Sequence, residues 1–282
     1  MKKVALLIGT MSLAVATLAD NRIRVANGHA ATTIKTSCVE TYQKAKGDEL
    51  TETFSQTYPL SPTGRVSIAN INGDVHINVS DQGFVKVDAV KRAYSRERLS
   101  EVNVEVENTA DSVQIKTRYP EDRNYNGRNH GDSWASVEYT LTIPRRARVD
   151  GAELVNGSLD INGVQGDVHA SLVNGTVKAS GLGGEVKLST VNGSVEANVA
   201  TLDGAKSVTV NSVNGAITLF IPPGAGADVK ASTLHGPIAN DFGLKVDDGQ
   251  YVGHNLNGQI GSGGARIRLN NVNGAIAIIT AK

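Results

Sequence analysis

The sequence predicts an all-β chain, a single-stranded β-solenoid or β-helix-like repeat domain, and three observations predict it. A Val-Asn-Gly tripeptide starts at Val155, Val173, Val191, Val213 and Val272, with variants Leu234-His235-Gly236 and Leu256-Asn257-Gly258 and an early copy Ile71-Asn72-Gly73. Apolar and polar residues alternate on both sides of it. Glycine supplies 30 of the 282 residues and aromatic residues only 4%, which suits many sharp turns and small, repeated core layers.

From Val155 onward the tripeptides follow one another at steps of 18, 18, 22, 21, 22 and 16 residues, the self-similarity of a stacked repeat. Before the tripeptide the apolar residues are paired with a spacing of two, as in Val168 and Ala170, Val186 and Leu188, Val208 and Val210, or Ile267 and Leu269. After it they alternate again at Leu159 and Ile161, Val177 and Ala179, Val195 and Ala197, and Ile217 and Leu219. Alternation with one apolar face marks half-buried strands, so each repeat reads as two short strands joined at Asn-Gly.

Glycine takes positive φ without steric cost, and asparagine tolerates the left-handed region better than most residues. The same dipeptide also suits a two-residue hairpin turn, so an array of hairpins is the alternative. The apolar residue before every Asn-Gly and the 18-residue step favour the corner of a coil whose rungs stack ~4.8 Å apart. In that coil Asn72, Gly73, Asn156, Gly157, Asn174, Gly175, Asn192, Gly193, Asn214, Gly215, Asn257, Gly258, Asn273 and Gly274 form a corner ladder, with the asparagines hydrogen-bonded from rung to rung.

At the N-terminus, Lys2 and Lys3 precede an apolar run from Val4 to Leu18, the layout of an export signal. Residues 1–19 are read as that signal, with cleavage at Thr17-Leu18-Ala19 or as late as 30, and the run is shorter than the ~20 residues of a spanning helix. Residues 20–50 form a tail of uncertain order. The repeat domain covers 51–282, with an irregular section 88–150 that holds strand candidates Val102–Val106, Val113–Ile115 and Val137–Ile143. Within it, Glu121 to Ser133 is rich in Asn, Gly, Asp and Arg and reads as a loop, with His130, Asp132 and nearby Trp134 gathering polar and aromatic groups.

The stretch from Gly64 to Ile77, the strand Tyr139-Thr140-Leu141-Thr142-Ile143-Pro144 and the Val-Asn-Gly array after Val155 together resemble the bacterial putative adhesins built of β-strand repeats, a family of domains of unknown function. The resemblance covers most of the chain beyond the signal. It implies an exported β-solenoid-like domain and supplies no catalytic residues.

Composition narrows the function classes. Twenty-eight basic residues balance 28 acidic ones, so no global field draws nucleic acid, and few rings are present to stack bases or sugars. Cys38 is the single cysteine, which rules out an intrachain disulfide and four-cysteine zinc sites. His29, His76, His130, His169, His235 and His254 have no metal-ligand spacing. The glycines at 258, 261, 263 and 264 lack the Lys-Ser/Thr of a phosphate loop. Asn156, Asn174 and Asn192 stand at N-glycosylation spacing but at inferred tight corners.

Repeat register also aligns the outward side chains. Asp160, Lys178 and Glu196 fall in one column, Asp167, Glu185 and Asp228 in a second, and His169, Lys187, Lys230 and Arg268 in a third. Exposed charges arranged in this way mostly neutralise one another, each pair contributing ~0–1 kcal/mol. The third column is the candidate polyanion-binding site.

The expectation is therefore a non-enzymatic exported protein of the periplasm, cell surface or medium that needs no cofactor or metal and binds an envelope polymer, polysaccharide or protein. A purely structural envelope protein is the alternative. A β-helical carbohydrate-active enzyme would instead need clustered carboxylates with a basic residue in one groove.

Overall fold

Each Val-Asn-Gly tripeptide joins a strand of one sheet to a strand of another. The computed structural model describes residues 43–44, 49–120, 135–202, 206–249 and 253–281, all within the unit 35–282. The expected signal, nearly all of the tail, Cys38 and the 121–133 loop lie outside the described residues. The chain is all-β, with two eleven-stranded mixed sheets.

The front sheet holds the strands that lead into the corners. Its order is Val246–Asp248, His254–Ile260, Ala227–His235, Ala265–Asn273, Ser207–Asn214, Val186–Asn192, Val168–Asn174, Arg148–Asn156, Arg65–Asn72, Ser112–Arg118 and Asn103–Thr109. The back sheet holds the strands that leave them, in the order Gln43–Lys44, Leu50–Pro59, Phe84–Ala93, Ala135–Pro144, Val75–Ser80, Leu159–Asn162, Val177–Leu182, Val195–Val199, Ile217–Ile221, Ile276–Thr280 and Ile238–Asn240. Neither order closes on itself.

Repeat strands lie parallel and in register apart from bulges at Gly151 and between Ala179 and Leu182. On the front, Val168 pairs with Val186, Val186 with Val208, Val208 with Ile267 and Ile267 with Val229. On the back, Val177 pairs with Val195, Val195 with Ile217, Ile217 with Ile276 and Ile276 with Ile238. Among the corner repeats, spatial order departs from chain order at one point. The last repeat, 265–280, inserts between those at 207–221 and 227–240.

Alternation explains why these segments hold as strands. In Val168–Asn174 the residues Val168, Ala170 and Leu172 are buried while Ser171 and Val173 are exposed. Buried faces of both sheets merge into one apolar cluster of mostly Val, Ile, Leu and Ala. Each fully buried Val, Leu or Ile contributes ~1.5–3 kcal/mol. Among the described residues Tyr139 is the one large ring buried completely, its hydroxyl 2.7 Å from Thr117 Oγ1. Burial pushes the Tyr139 phenol well above its ordinary value, against a lowering by the Thr117 hydrogen bond.

The described residues of the irregular section form regular strands and one short helix. Antiparallel strands Leu50–Pro59, Phe84–Ala93 and Ala135–Pro144 extend the back sheet. A short helix, Arg96–Glu101, begins where Ser95 Oγ accepts a hydrogen bond from Arg98 N at 3.2 Å, and it buries Leu99. Its six residues are too few for helical periodicity to register in sequence.

Asn257-Gly258 is not a corner. It lies inside His254–Ile260, antiparallel to Ala227–His235, with Gly258 opposite Val229 and without positive φ. After the corners at Asn72, Asn156, Asn174, Asn192, Asn214 and Asn273 a second buried residue follows, as Ile161 follows Leu159. Here Ile260 is followed by Gly261, which turns the chain at φ +58°. The strand covers the front-sheet edge that a corner at this point would leave open.

Candidate functional site

The corner fixes the spacing of everything around it. Its backbone ladder is continuous, because Gly157 N donates to Asn174 O at 3.0 Å, Gly175 N to Asn192 O at 2.9 Å and Gly193 N to Asn214 O at 2.8 Å. A side-chain ladder runs in the opposite sense. Nδ2 of Asn156, Asn174, Asn192, Asn214 and Asn273 donates to Oδ1 of Asn72, Asn156, Asn174, Asn192 and Asn214, at 2.8–2.9 Å. His235 takes the asparagine position on the last rung, with Nδ1 at 3.1 Å from Asn273 Oδ1. That oxygen only accepts, so Nδ1 carries the proton.

Glycine is required here for two reasons, of which positive φ is one. Gly175 has φ +150°, and a Cβ there would stand 1.9 Å from the carbonyl oxygen of Gly157 on the preceding rung. Gly193 and Gly215 repeat the approach at 1.9 and 2.0 Å. Backbones therefore touch at the corner, and no side chain fits between them.

Three outward columns follow from the register of the front sheet. The candidate column reads His169, Lys187, Thr209, Arg268, Lys230 in spatial order, so Arg268 lies between Thr209 and Lys230. The neighbouring acidic column is interrupted. Its order is Asp167, Glu185, Ser207, Arg266, Asp228, which places Arg266 beside Asp228 and away from the other two acids. Arg266, Arg268 and Lys230 thereby line a shallow recess of about 190 Å³ with Asp228 and Asn257. Asp228 Oδ2 accepts from Gly264 N at 3.4 Å. Among the described residues, Lys187, Lys230, Arg266 and Arg268 have no ion-pair partner, whereas His169 Nδ1 lies 3.8 Å from Asp150.

Asp160, Lys178 and Glu196 also align, on the back sheet and so on the opposite surface. His76 joins this column, its Nδ1 2.9 Å from Asp160 Oδ2.

The residue before each corner forms the third column of the front sheet. In spatial order Ile71, Val155, Val173, Val191, Val213, Val272 and Leu234 are each 38–48% exposed. A groove of about 350 Å³ runs beside this ridge, between Val191, Val213 and Val272 and the polar row Ser171, Ser189, Asn211 and Asn270. Sequence reasoning used these valines to favour a corner and did not see them as surface. Parity carried the signal, since Leu172 and Leu154 point inward and the next residue must point out. Arg266 was missed because chain order hides that repeat 265–280 stacks before 227–240.

Fold and surface together define an all-β protein with a laddered corner and a chemically banded outer face. No protein-family model matches the chain, and no curated protein does. Solved structures similar to it include bacterial proteins described as putative adhesins and one described as a putative lipid binding protein. A putative cell adhesion protein from Clostridium sporogenes shares 16% identity at TM-score 0.48, over 81% of this chain and all of that one. A putative adhesin from Bacteroides fragilis shares 13% at TM-score 0.39, covering 81% and 97% of the two chains. One from Parabacteroides distasonis shares 10% at TM-score 0.24, with the same coverage. Nothing about activity passes from them to this chain.

Proposed function

We propose that the chain is an exported, non-enzymatic β-solenoid-like protein that binds an anionic polymer of the cell envelope through the outer face of its front sheet. The single observation that carries the reading is the cationic recess. Arg266, Arg268 and Lys230 converge there from adjacent strands without ion-pair partners among the described residues, in line with Lys187. A row of donors at strand spacing on a rigid sheet matches a linear polyanion better than a small compact ligand. Export is supported by Lys2, Lys3 and the apolar run that follows. Among the described residues, no helix is long and apolar enough to cross a membrane. The coil is supported by strands that alternate between two sheets with parallel, in-register neighbours.

Binding should be weak, because Asp228 offsets part of the charge and exposed charges are screened beyond ~8 Å at physiological ionic strength. The test is retention on immobilised polygalacturonate. Wild type is retarded and released by salt, and Arg268→Glu with Lys230→Glu elutes unretarded at an unchanged melting temperature. Unchanged retention of the double variant would remove the recess from the account. Shortened polymer after incubation with wild type would overturn the non-enzymatic reading.

A further inference from the structure

The aliphatic ridge is a different kind of surface from the cationic recess. Its seven side chains repeat once per strand, at a spacing of ~4.8 Å. Another row of the same period stays in register along its whole length, whereas a partner with a different repeat drifts out of step within a few rungs. The period therefore matches a second copy of this chain.

Area and charge say how the copies meet. A patch on the order of 300–600 Å² falls short of the ~800 Å² per partner of a standard interface, so the contact must spread from the ridge over the charged columns. There the charges are segregated. On the three successive rungs ending at Asn156, Asn174 and Asn192, the outward positions carry the acids Asp150, Glu153, Asp167 and Glu185 against Arg148 and Lys187. On the three ending at Asn214, Asn273 and His235 they carry Arg266, Arg268 and Lys230 against Asp228 alone.

We propose that two copies associate face to face through their front sheets, about a twofold axis parallel to the strands. This axis sets ridge on ridge and reverses the stacking direction. The axis passes between the Val191 and Val213 strands, so Val191 meets Val213 of the second copy. The basic end of each copy lies on the acidic end of the other, with Asp150 opposite Lys230, Arg148 opposite Asp228 and Asp167 opposite Arg266 of the second copy. Each contact occurs twice, as a closed pair requires. The same pairing covers the cationic recess, so self-association and polymer binding compete, a consequence that rests on the function proposed above.

Sedimentation equilibrium of the exported chain tests the pairing. Wild type forms a dimer that weakens as salt is raised. Val191→Asp, at an exposed position that leaves the melting temperature in place, raises the dimer dissociation constant at least ~tenfold, a loss of ~1.4 kcal/mol. Lys230→Asp also weakens the dimer, and adding Asp150→Lys to it restores the wild-type constant because the pair is swapped in both copies. A wild type that stays monomeric at every concentration overturns the pairing, as does a dimer indifferent to Val191→Asp or a double variant no tighter than Lys230→Asp. Retention of Val191→Asp on polygalacturonate separates the two claims. A retained, monomeric wild type sinks the dimer alone, and an unretained monomeric variant sinks the polymer reading alone.

Discussion

Three glycine-to-alanine variants separate the two physical reasons for glycine at the corner. Gly151 has φ +117° with nothing within 4 Å of an added Cβ, so Gly151→Ala probes backbone conformation alone. Gly184 has no positive φ, yet its Cβ would stand 2.3 Å from Gly166 O, so Gly184→Ala probes close approach alone. Gly175→Ala meets both constraints. Holding alanine in a region meant for glycine costs ~1–3 kcal/mol. Forcing a methyl group against a fixed backbone costs a further ~1–3 kcal/mol. Alanine recovers ~0.4–1 kcal/mol by stiffening the unfolded chain. Gly175→Ala should therefore lose ~1–5.5 kcal/mol, Gly151→Ala and Gly184→Ala each about half that, and the exposed control Lys178→Ala ~0.5 kcal/mol or less. Urea denaturation followed by far-UV circular dichroism reads these differences as midpoint shifts. Equal midpoints for Gly175→Ala and Gly151→Ala would mean that the rung-to-rung approach places no constraint on the corner.

Three further outcomes follow from named contacts. Thr190 is buried and its Oγ1 has no hydrogen-bond partner among the described residues, so Thr190→Val should be neutral or raise stability by ~1 kcal/mol; a clear fall in melting temperature would show that the hydroxyl is satisfied. Asn192 both donates to Asn174 and accepts from Asn214, so Asn192→Ala should cost ~0.5–1.5 kcal/mol, and no loss in thermal melting would make the side-chain ladder decorative. Burial pushes the Tyr119 phenol up to about 12, and hydrogen bonds to the backbone of Asn72 and Val137 oppose the rise. The unfolded chain then loses this proton near pH 10 and the folded chain only near 12, so the contribution of Tyr119 is intact below pH 10 and declines between the two values. At ~1.36 kcal/mol per pH unit, discounted for partial exposure, the decline is about 2 kcal/mol, and Tyr119→Phe should flatten it in urea titrations across that range.

Much of this architecture is legible in the sequence, because period-2 alternation and Asn-Gly are local signals. Val168, Ala170 and Leu172 announce their inward face, and the 18-residue step from Val173 to Val191 places His169 beside Lys187. Local signals stop at the order of the rungs. Nothing in residues 265–280 says that they stack between 207–221 and 227–240, so Arg266 and Arg268 come beside Lys230 only through tertiary pairing. Asn257-Gly258 carries the corner dipeptide but is a strand, because pairing along the front-sheet edge outweighs the turn preference of two residues. The valine ridge was hidden for a different reason, since an apolar residue beside a core strand reads as core until the parity of the strand is counted.

Lysine reactivity toward an acylating reagent, measured residue by residue with and without polygalacturonate, tests the central claim most directly. Lys187 and Lys230 lie on the front face and Lys178 on the back. The account predicts that polymer slows acylation of Lys187 and Lys230 and leaves Lys178 at its free rate. Protection of Lys178, or none at Lys230, would contradict it.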